Sequence, residues 1–261
     1  MSTPIVIMGA SGRMGSTIAR LVTSSNDMTL VGCIDRKEQL QSLNYLNVPT
    51  ADNGEELLPQ CPHAVIINFT TPAASMAILD AAVRCNNPMV IGTTGFSDEQ
   101  KAAIKNAAKH IPLLLSPNMS LGVNALLDIL PRLCRLLGEA YDIDITEMHH
   151  KHKKDAPSGT ALRLAECLAK AREWDMKQVL RSCREGITGE RPKEEIGMQV
   201  LRGGDVAGVH TVYFMGDGER IEVTHHAHSR DTFAVGALRA ARWLVNQKPG
   251  PLYSIQNVLG E

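Results

Sequence analysis

Five short apolar runs mark the first 120 residues, and each is apolar straight through rather than at every second position. They are Ile5-Val6-Ile7-Met8, Thr29-Leu30-Val31-Gly32-Cys33-Ile34, Ala64-Val65-Ile66-Ile67, Met89-Val90-Ile91 and Pro112-Leu113-Leu114-Leu115. A strand with one wet face alternates. A strand covered on both faces does not, so continuous runs point to parallel strands sandwiched between helices. Helical patterns at 13–25, 73–85 and 97–109 separate the runs. This alternation predicts an α/β fold with a doubly wound parallel sheet.

Beyond residue 120 the pattern changes. A helix is expected over 121–137, followed by the alternating segment Asp142-Ile143-Asp144-Ile145-Thr146-Glu147-Met148 and a second helix after Pro157. Further strands are expected at 197–202, 210–215 and 220–225, and a last helix at 233–245. Alternating strands suit a half-exposed, mixed or antiparallel sheet. The expected organisation is a dinucleotide-binding domain of residues 1–120 and 231–261, with a second α+β domain of residues 121–230 inserted before the last helix.

Composition narrows the partners. With 44% hydrophobic and 21% charged residues in 261, the chain can bury one large core or two modest ones. A net charge of -1 supplies no global field for nucleic acid or an anionic membrane. No apolar stretch nears the ~20 residues a membrane helix needs. The six cysteines are scattered without metal-ligand or redox-pair spacing, and the N-terminus runs straight into a strand pattern. Both features suit a cytoplasmic protein.

The first apolar run ends in Gly9-Ala10-Ser11-Gly12-Arg13-Met14-Gly15, which opens the first helix. Glycines there let the backbone turn sharply and approach a pyrophosphate resting on the helix N-terminus. The spacing is G-x-x-G-x-x-G, so a strand-to-helix turn that merely needs glycine is the competing reading. Asp35 strengthens the nucleotide reading. It lies 20 residues after Gly15, at the end of the second run, where a carboxylate can accept from ribose hydroxyls. Arg36 beside it can meet a 2′-phosphate, so the pair allows NADH or NADPH. In open α/β sheets ligands lie beyond the carboxyl ends of strands. That places Gly92-Thr93-Thr94-Gly95-Phe96 and Ser116-Pro117-Asn118-Met119-Ser120 near a nicotinamide, with Phe69-Thr70-Thr71 a lesser candidate.

The densest polar segment runs from Glu147 to Ala161 and holds three histidines and three lysines between His149 and Lys154. Pro157 suits the first turn of the helix that follows, and the N–H groups near Ser158, Gly159 and Thr160 form an anion-binding start. An exposed basic loop is the plain reading. A metal set from His149, His150 and His152 is disfavoured, because adjacent histidines diverge on a strand and no nearby cysteine or fixed carboxylate completes a tetrahedral set. Acid–base chemistry on a dianion, with histidine as proton donor and lysine as charge partner or second donor, fits best beside a nucleotide domain.

Glu147 to Ala161 resembles the signature of the 4-hydroxy-tetrahydrodipicolinate reductases. Gly9 to Gly15, Gly92 to Phe96, Arg202 to Thr211 and Ile221 to Arg242 resemble that family too, so the likeness runs from end to end. The resemblance implies a Rossmann-like domain plus a substrate-binding and oligomerisation domain, and NAD(P)H-dependent reduction of a cyclic dicarboxylate in lysine and diaminopimelate biosynthesis. It implies a homotetramer. By the same resemblance His149 and Lys153 are catalytic, and His150, Ser158, Gly159 and Thr160 hold substrate. The implied coenzyme contacts are Gly9, Ala10, Ser11, Gly12, Arg13, Met14, Asp35, Arg36, Gly92, Thr93, Thr94, Ser116, Pro117, Asn118 and Met119, with no metal. Met119 departs from the aromatic residue usual there, which bears on how the nicotinamide ring packs. His225, His226 and His228 exceed the family pattern and are expected to be structural or on the surface. Two other functions compete: an aspartate dehydrogenase-like oxidoreductase, and a nonenzymatic dinucleotide sensor, which would have no use for a His/Lys cluster.

Overall fold

The computed structural model describes residues 2–260. The chain divides into two compact units, Met1–Leu121 with Arg230–Glu261, and Gly122–Ser229. In the first, strands β1 (Thr3–Met8), β2 (Met28–Ile34), β3 (Thr50–Ala51), β4 (Val65–Asn68), β5 (Met89–Ile91) and β6 (Leu113–Leu115) alternate with helices. Those helices are α1 (Arg13–Thr23), α2 (Gly54–Leu57), α3 (Pro72–Arg84) and α4 (Asp98–Ala107). The strands lie side by side as β6-β5-β4-β1-β2-β3, all parallel. That order is the Rossmann-like one, with its switch point between β1 and β4.

Both faces of the sheet are covered, which explains the continuous apolar runs. Ile5, Ile7, Val65, Ile67 and Val90 pack on one side against Ile18, Ala19 and Val22 of α1. Val6, Met8, Ile66, Met89 and Ile91 pack on the other against Leu57, Ile78, Leu79 and Ile104 of α2, α3 and α4. Each such side chain contributes roughly 1.5–3 kcal/mol by leaving water. Local signals set the helix starts. Thr71 caps α3 ahead of Pro72, and Ser97 and Gln100 form a capping box on α4.

The second unit holds α5 (Leu121–Leu137) from its second residue on, β7 (Asp142–His149), α6 (Gly159–Ala171), α7 (Met176–Val179), β8 (Leu180–Arg181), β9 (Ile196–Arg202), β10 (Gly208–Gly216) and β11 (Glu219–Ala227). Its sheet runs β11-β10-β7-β9-β8, antiparallel on the β10 side and parallel on the β9 side. It is therefore mixed, as the alternation predicts. Ile143, Ile145, Met198, Val212 and Phe214 form its inner face against Leu130 and Cys134 of α5 and Leu164 and Leu168 of α6.

The chain then returns to the first unit through α8 (Asp231–Leu244), β12 (Leu252–Tyr253) and α9 (Ile255–Leu259). β12 pairs in parallel with β6 and makes the sheet seven-stranded. Ala234, Ala237 and Ala241 of α8 join the α1 side of the core.

Gly15 is fixed by close approach. A Cβ built there falls 2.0 Å from the Gly9 carbonyl oxygen, so α1 presses directly on the turn that precedes it. Gly15→Ala is expected to destabilise the protein by about 1–3 kcal/mol, as overpacking does. Thermal unfolding reads this out; an unchanged midpoint would refute the close contact.

Candidate active site

At the carboxyl end of the first unit's sheet, Gly9 takes φ +79° and turns the chain from β1 into α1. The N-cap residue is Gly12, so no side chain caps the helix, and its first turn carries no acidic residue. A helix start left this way suits an anion. Ala10 is buried, whereas Ser11, Gly12 and Arg13 are exposed and Met14 is half-buried. Asp35 Oδ2 accepts the Ser11 N–H at 2.7 Å, and Oδ1 accepts the Arg36 N–H at 2.8 Å. The carboxylate thus latches the glycine turn to the end of β2. With about four acceptor positions on a carboxylate, it keeps capacity for ribose hydroxyls. Arg36 is exposed, with Nη1 3.4 Å from Glu38.

The neighbouring loops are tied from below. Asn68, fully buried at the end of β4, donates to Ser75 Oγ at 2.9 Å and accepts from the Thr70 N–H and hydroxyl at 3.1 and 2.7 Å. Thr93 Oγ1 accepts the Thr70 N–H at 3.0 Å and lies 3.2 Å from Ser75 Oγ. Its hydroxyl therefore fastens the loops after β4 and β5 together, while Thr94 is exposed. Gly92 faces the Phe69 ring so closely that a Cβ would overlap it. Ser116 Oγ donates to the Asn118 carbonyl at 2.8 Å, and Pro117 is exposed. Met119 is buried in the core, and its carbonyl lies against Gly236 of α8, where a Cβ would clash. The Met119 side chain, which the resemblance implies is a coenzyme contact, is thus a core residue.

In the second unit the inner face of β7 reads Ile143, Ile145, Glu147, His149, so two polar groups follow two apolar ones on the same buried side. Glu147 is 1% exposed. Its Oε2 accepts from His149 Nδ1 at 2.6 Å and Arg202 Nη1 at 2.7 Å, and its Oε1 from the Ser158 N–H and Arg202 Nη2, both at 2.8 Å. Burial alone would raise this carboxyl. Arg202, His149 and Ser158 outweigh it and hold the group below the usual carboxylate range. Burial lowers His149, with Glu147 working against that shift and Lys153 and Arg202 adding to it. His210 sits opposite Glu147 on β10, edge-on to the His149 ring with centroids 5.1 Å apart. Burial, with His149 next, pushes it down to about 4.

The turn after β7 brings the basic residues back. The Lys153 N–H donates to the His150 carbonyl at 3.1 Å, and Lys153 Nζ pairs with Asp155 at 2.9 Å. His150 is half-buried with Nδ1 unbonded among the described residues, and His152 is exposed. Ser158 is the N-cap of α6: its Oγ accepts the Ala161 N–H at 3.1 Å and lies 3.0 Å from His210 Nε2. Pro157, expected in the helix's first turn, instead precedes the cap, because Ser158 with its hydroxyl takes that position. Gly159 is exposed and a Cβ on it would meet open space, so the capped start of α6 is open to a ligand on that side. Thr160 occupies the same first turn.

The structure thus brings His149, Lys153, Ser158, Gly159 and Thr160 into one unit, and the glycine turn, Asp35 and the later loops into the other. Three partners went unassigned in the sequence: Glu147, Arg202 and His210. His225 lies opposite His210 on β11 and is half-buried, closer to this cluster than a surface role implies. His226 and His228 are exposed, their rings stacked with centroids 6.4 Å apart. No group of three His, Cys, Asp or Glu placed to hold a metal occurs among the described residues.

Two family models match the chain: "Dihydrodipicolinate reductase, N-terminus" over residues 3–119 and "Dihydrodipicolinate reductase, C-terminus" over residues 122–259. A 4-hydroxy-tetrahydrodipicolinate reductase of Nitratidesulfovibrio vulgaris is 57% identical over 99% of this chain and 100% of its own. That of Oleidesulfovibrio alaskensis is 55% identical with the same coverage. Among solved structures, a dipicolinate-bound dihydrodipicolinate reductase from Paenisporosarcina sp. TG-14 superposes with a TM-score of 0.76 at 26% identity, covering 98% of this chain and 99% of that one.

Proposed function

The chain belongs to the dihydrodipicolinate reductase family and is an oxidoreductase acting on 4-hydroxy-tetrahydrodipicolinate in lysine and diaminopimelate biosynthesis, and we propose that its work is divided between the two polar constellations. In balance, 4-hydroxy-tetrahydrodipicolinate loses water, and the resulting ring gains a hydride and a proton to give tetrahydrodipicolinate. A reduced nicotinamide, when bound, supplies the hydride. The glycine turn fits such a group, since the uncapped start of α1 accepts a pyrophosphate and Asp35 retains acceptor capacity for a ribose.

The residues of the second unit receive the substrate. Lys153 and His150 meet its carboxylates, and the first turn of α6 at Gly159 and Thr160 adds the positive end of that helix. Nδ1 of His150, buried and unbonded, supports that contact. His149 gives up its Nε2 proton as the hydride arrives. Burial lowers this imidazole, but a dianion docked beside it raises it again, so substrate binding loads the donor. The observation that carries this reading is the His149–Glu147 hydrogen bond, with Glu147 also holding the Ser158 N–H at the start of α6, where Gly159 is exposed. The test is consumption of NADH and NADPH with freshly generated 4-hydroxy-tetrahydrodipicolinate. Binding of coenzyme without turnover would overturn the substrate assignment.

Coenzyme choice is proposed to rest on Arg36, with both NADH and NADPH accepted. Arg36→Ala is expected to weaken NADPH about tenfold or more relative to NADH, because a charge-assisted hydrogen bond to a phosphate is worth ~1.5–3 kcal/mol. Asp35→Ala should weaken both coenzymes, since it also frees the Ser11 turn. Fluorescence titration separates the two; a parallel loss in Arg36→Ala would remove that residue from phosphate recognition.

The six free thiols support a cytoplasmic setting. The outer face of the second unit's sheet, with Leu201, Thr224 and His226 exposed, supports assembly into a homotetramer, which sedimentation would check.

A further inference from the structure

We propose that Glu147 is a positioning residue that ties the proton donor to the substrate's carboxylate cradle, and that Arg202 sets how strongly it holds the donor. The proposal rests on the reading of His149 as proton donor. Every acceptor position of this carboxylate is filled, and from separate elements. His149 comes from the same strand, Arg202 from β9 through both terminal nitrogens, and the Ser158 N–H from the start of α6. Arg202 is itself anchored to the turn through the Asp155 carbonyl at 2.7 Å.

Two consequences follow from the bonding. An ionised Glu147 fixes the proton of Nδ1, so the other imidazole nitrogen, Nε2, is the one that exchanges a proton with substrate. That nitrogen lies beside Gly208, where any Cβ would stand 3.0 Å from it. The proton leaves Nε2 for the substrate while Nδ1–H stays on Glu147, so no charge moves onto the buried carboxylate. The same carboxylate also holds the Ser158 N–H, which sets the direction of the first turn of α6 and hence of the Gly159 and Thr160 N–H groups. Donor and cradle are thus positioned by one anion.

The charged and titratable groups facing His149 are Glu147 on its own strand, Arg202 on β9, His210 on β10 with His225 beyond it, and Lys153 in the turn, paired with Asp155. Glu147 stabilises the imidazolium, and Arg202 opposes it, directly and by drawing on the Glu147 charge. Removing either therefore moves the donor in opposite directions. A collapse of local structure would not.

The test is the pH dependence of kcat, together with the imidazole titration of His149 followed by NMR in substrate-free protein, for wild type, Glu147→Gln and Arg202→Gln. With a protonated donor, kcat falls as pH rises through the His149 pKa. Glu147→Gln is expected to move that fall and the NMR titration down by about one pH unit or more, and Arg202→Gln to move both up. Glu147→Gln should also raise KM, because the Ser158 tie is lost. If Glu147→Gln does not fold, the upward shift in Arg202→Gln carries the test. Loss of turnover with the His149 titration unmoved in both variants would overturn the proposal. A moved titration with an unmoved kcat profile would instead sink the donor role of His149.

Discussion

Replacing His149 with Gln is expected to lower kcat by about 10²–10⁴-fold, the range set by loss of a general acid, while leaving coenzyme affinity in place. Gln keeps a side-chain donor within reach of Glu147 but carries no proton that it can release near neutral pH. The burial that lowers His149 makes its imidazolium a readier donor than an exposed one, and the 2.6 Å bond to Glu147 keeps the ring from turning away. In the proposed reading coenzyme affinity is set in the other unit, by the uncapped start of α1 and by Asp35. Steady-state rates with a coenzyme titration on the same variant check this. A comparable loss in both would mean that His149 supports structure or coenzyme rather than proton transfer.

The fold was legible wherever burial wrote it into side chains. β1, β4 and β5 are apolar on both faces, so the runs named them to within a few residues. Thr50–Ala51, Leu180–Arg181 and Leu252–Tyr253 were not legible. Each is two residues long and held mainly by backbone pairing to a neighbour, which no side-chain period records. The site divides in the same way. The helix start at Ser158 and the turn at Gly9 carry local signatures. Arg202 and His210 meet Glu147 and Ser158 across 55 and 52 residues of chain, and nothing near either residue announces the contact. One local signal was present. The alternation Ile143, Ile145, Glu147, His149 places a carboxylate on the same buried face as the histidine, and a buried carboxylate needs partners. Met119 shows the reverse case, since a loop position that follows a strand end need not face solvent, and here the side chain turns into the core.

Lys153→Ala is expected to lower kcat/KM by about 10²–10³-fold, the usual loss when a preorganised charged or hydrogen-bonding group is removed from a reacting site. The reason lies partly in what the lysine leaves behind. Lys153 Nζ pairs with Asp155 at 2.9 Å, and that pairing holds the Asp155 carboxyl below its ordinary range. Without the lysine, an uncompensated carboxylate is left in the turn that leads to Ser158, the N-cap of the helix that is to receive a dianion. Substrate then loses an attractive charge and gains a repulsive one. Asp155→Asn in the Lys153→Ala background separates these contributions. It should recover part of the KM, because the repulsion is gone, and none of the kcat, because the missing ammonium still neither orients the ring nor supplies a proton. Rate measurements on the single and double variants distinguish the outcomes. A single variant with unchanged kcat and KM would reduce Lys153 to a surface ion pair. A double variant that regains kcat as well would assign the whole loss to Asp155.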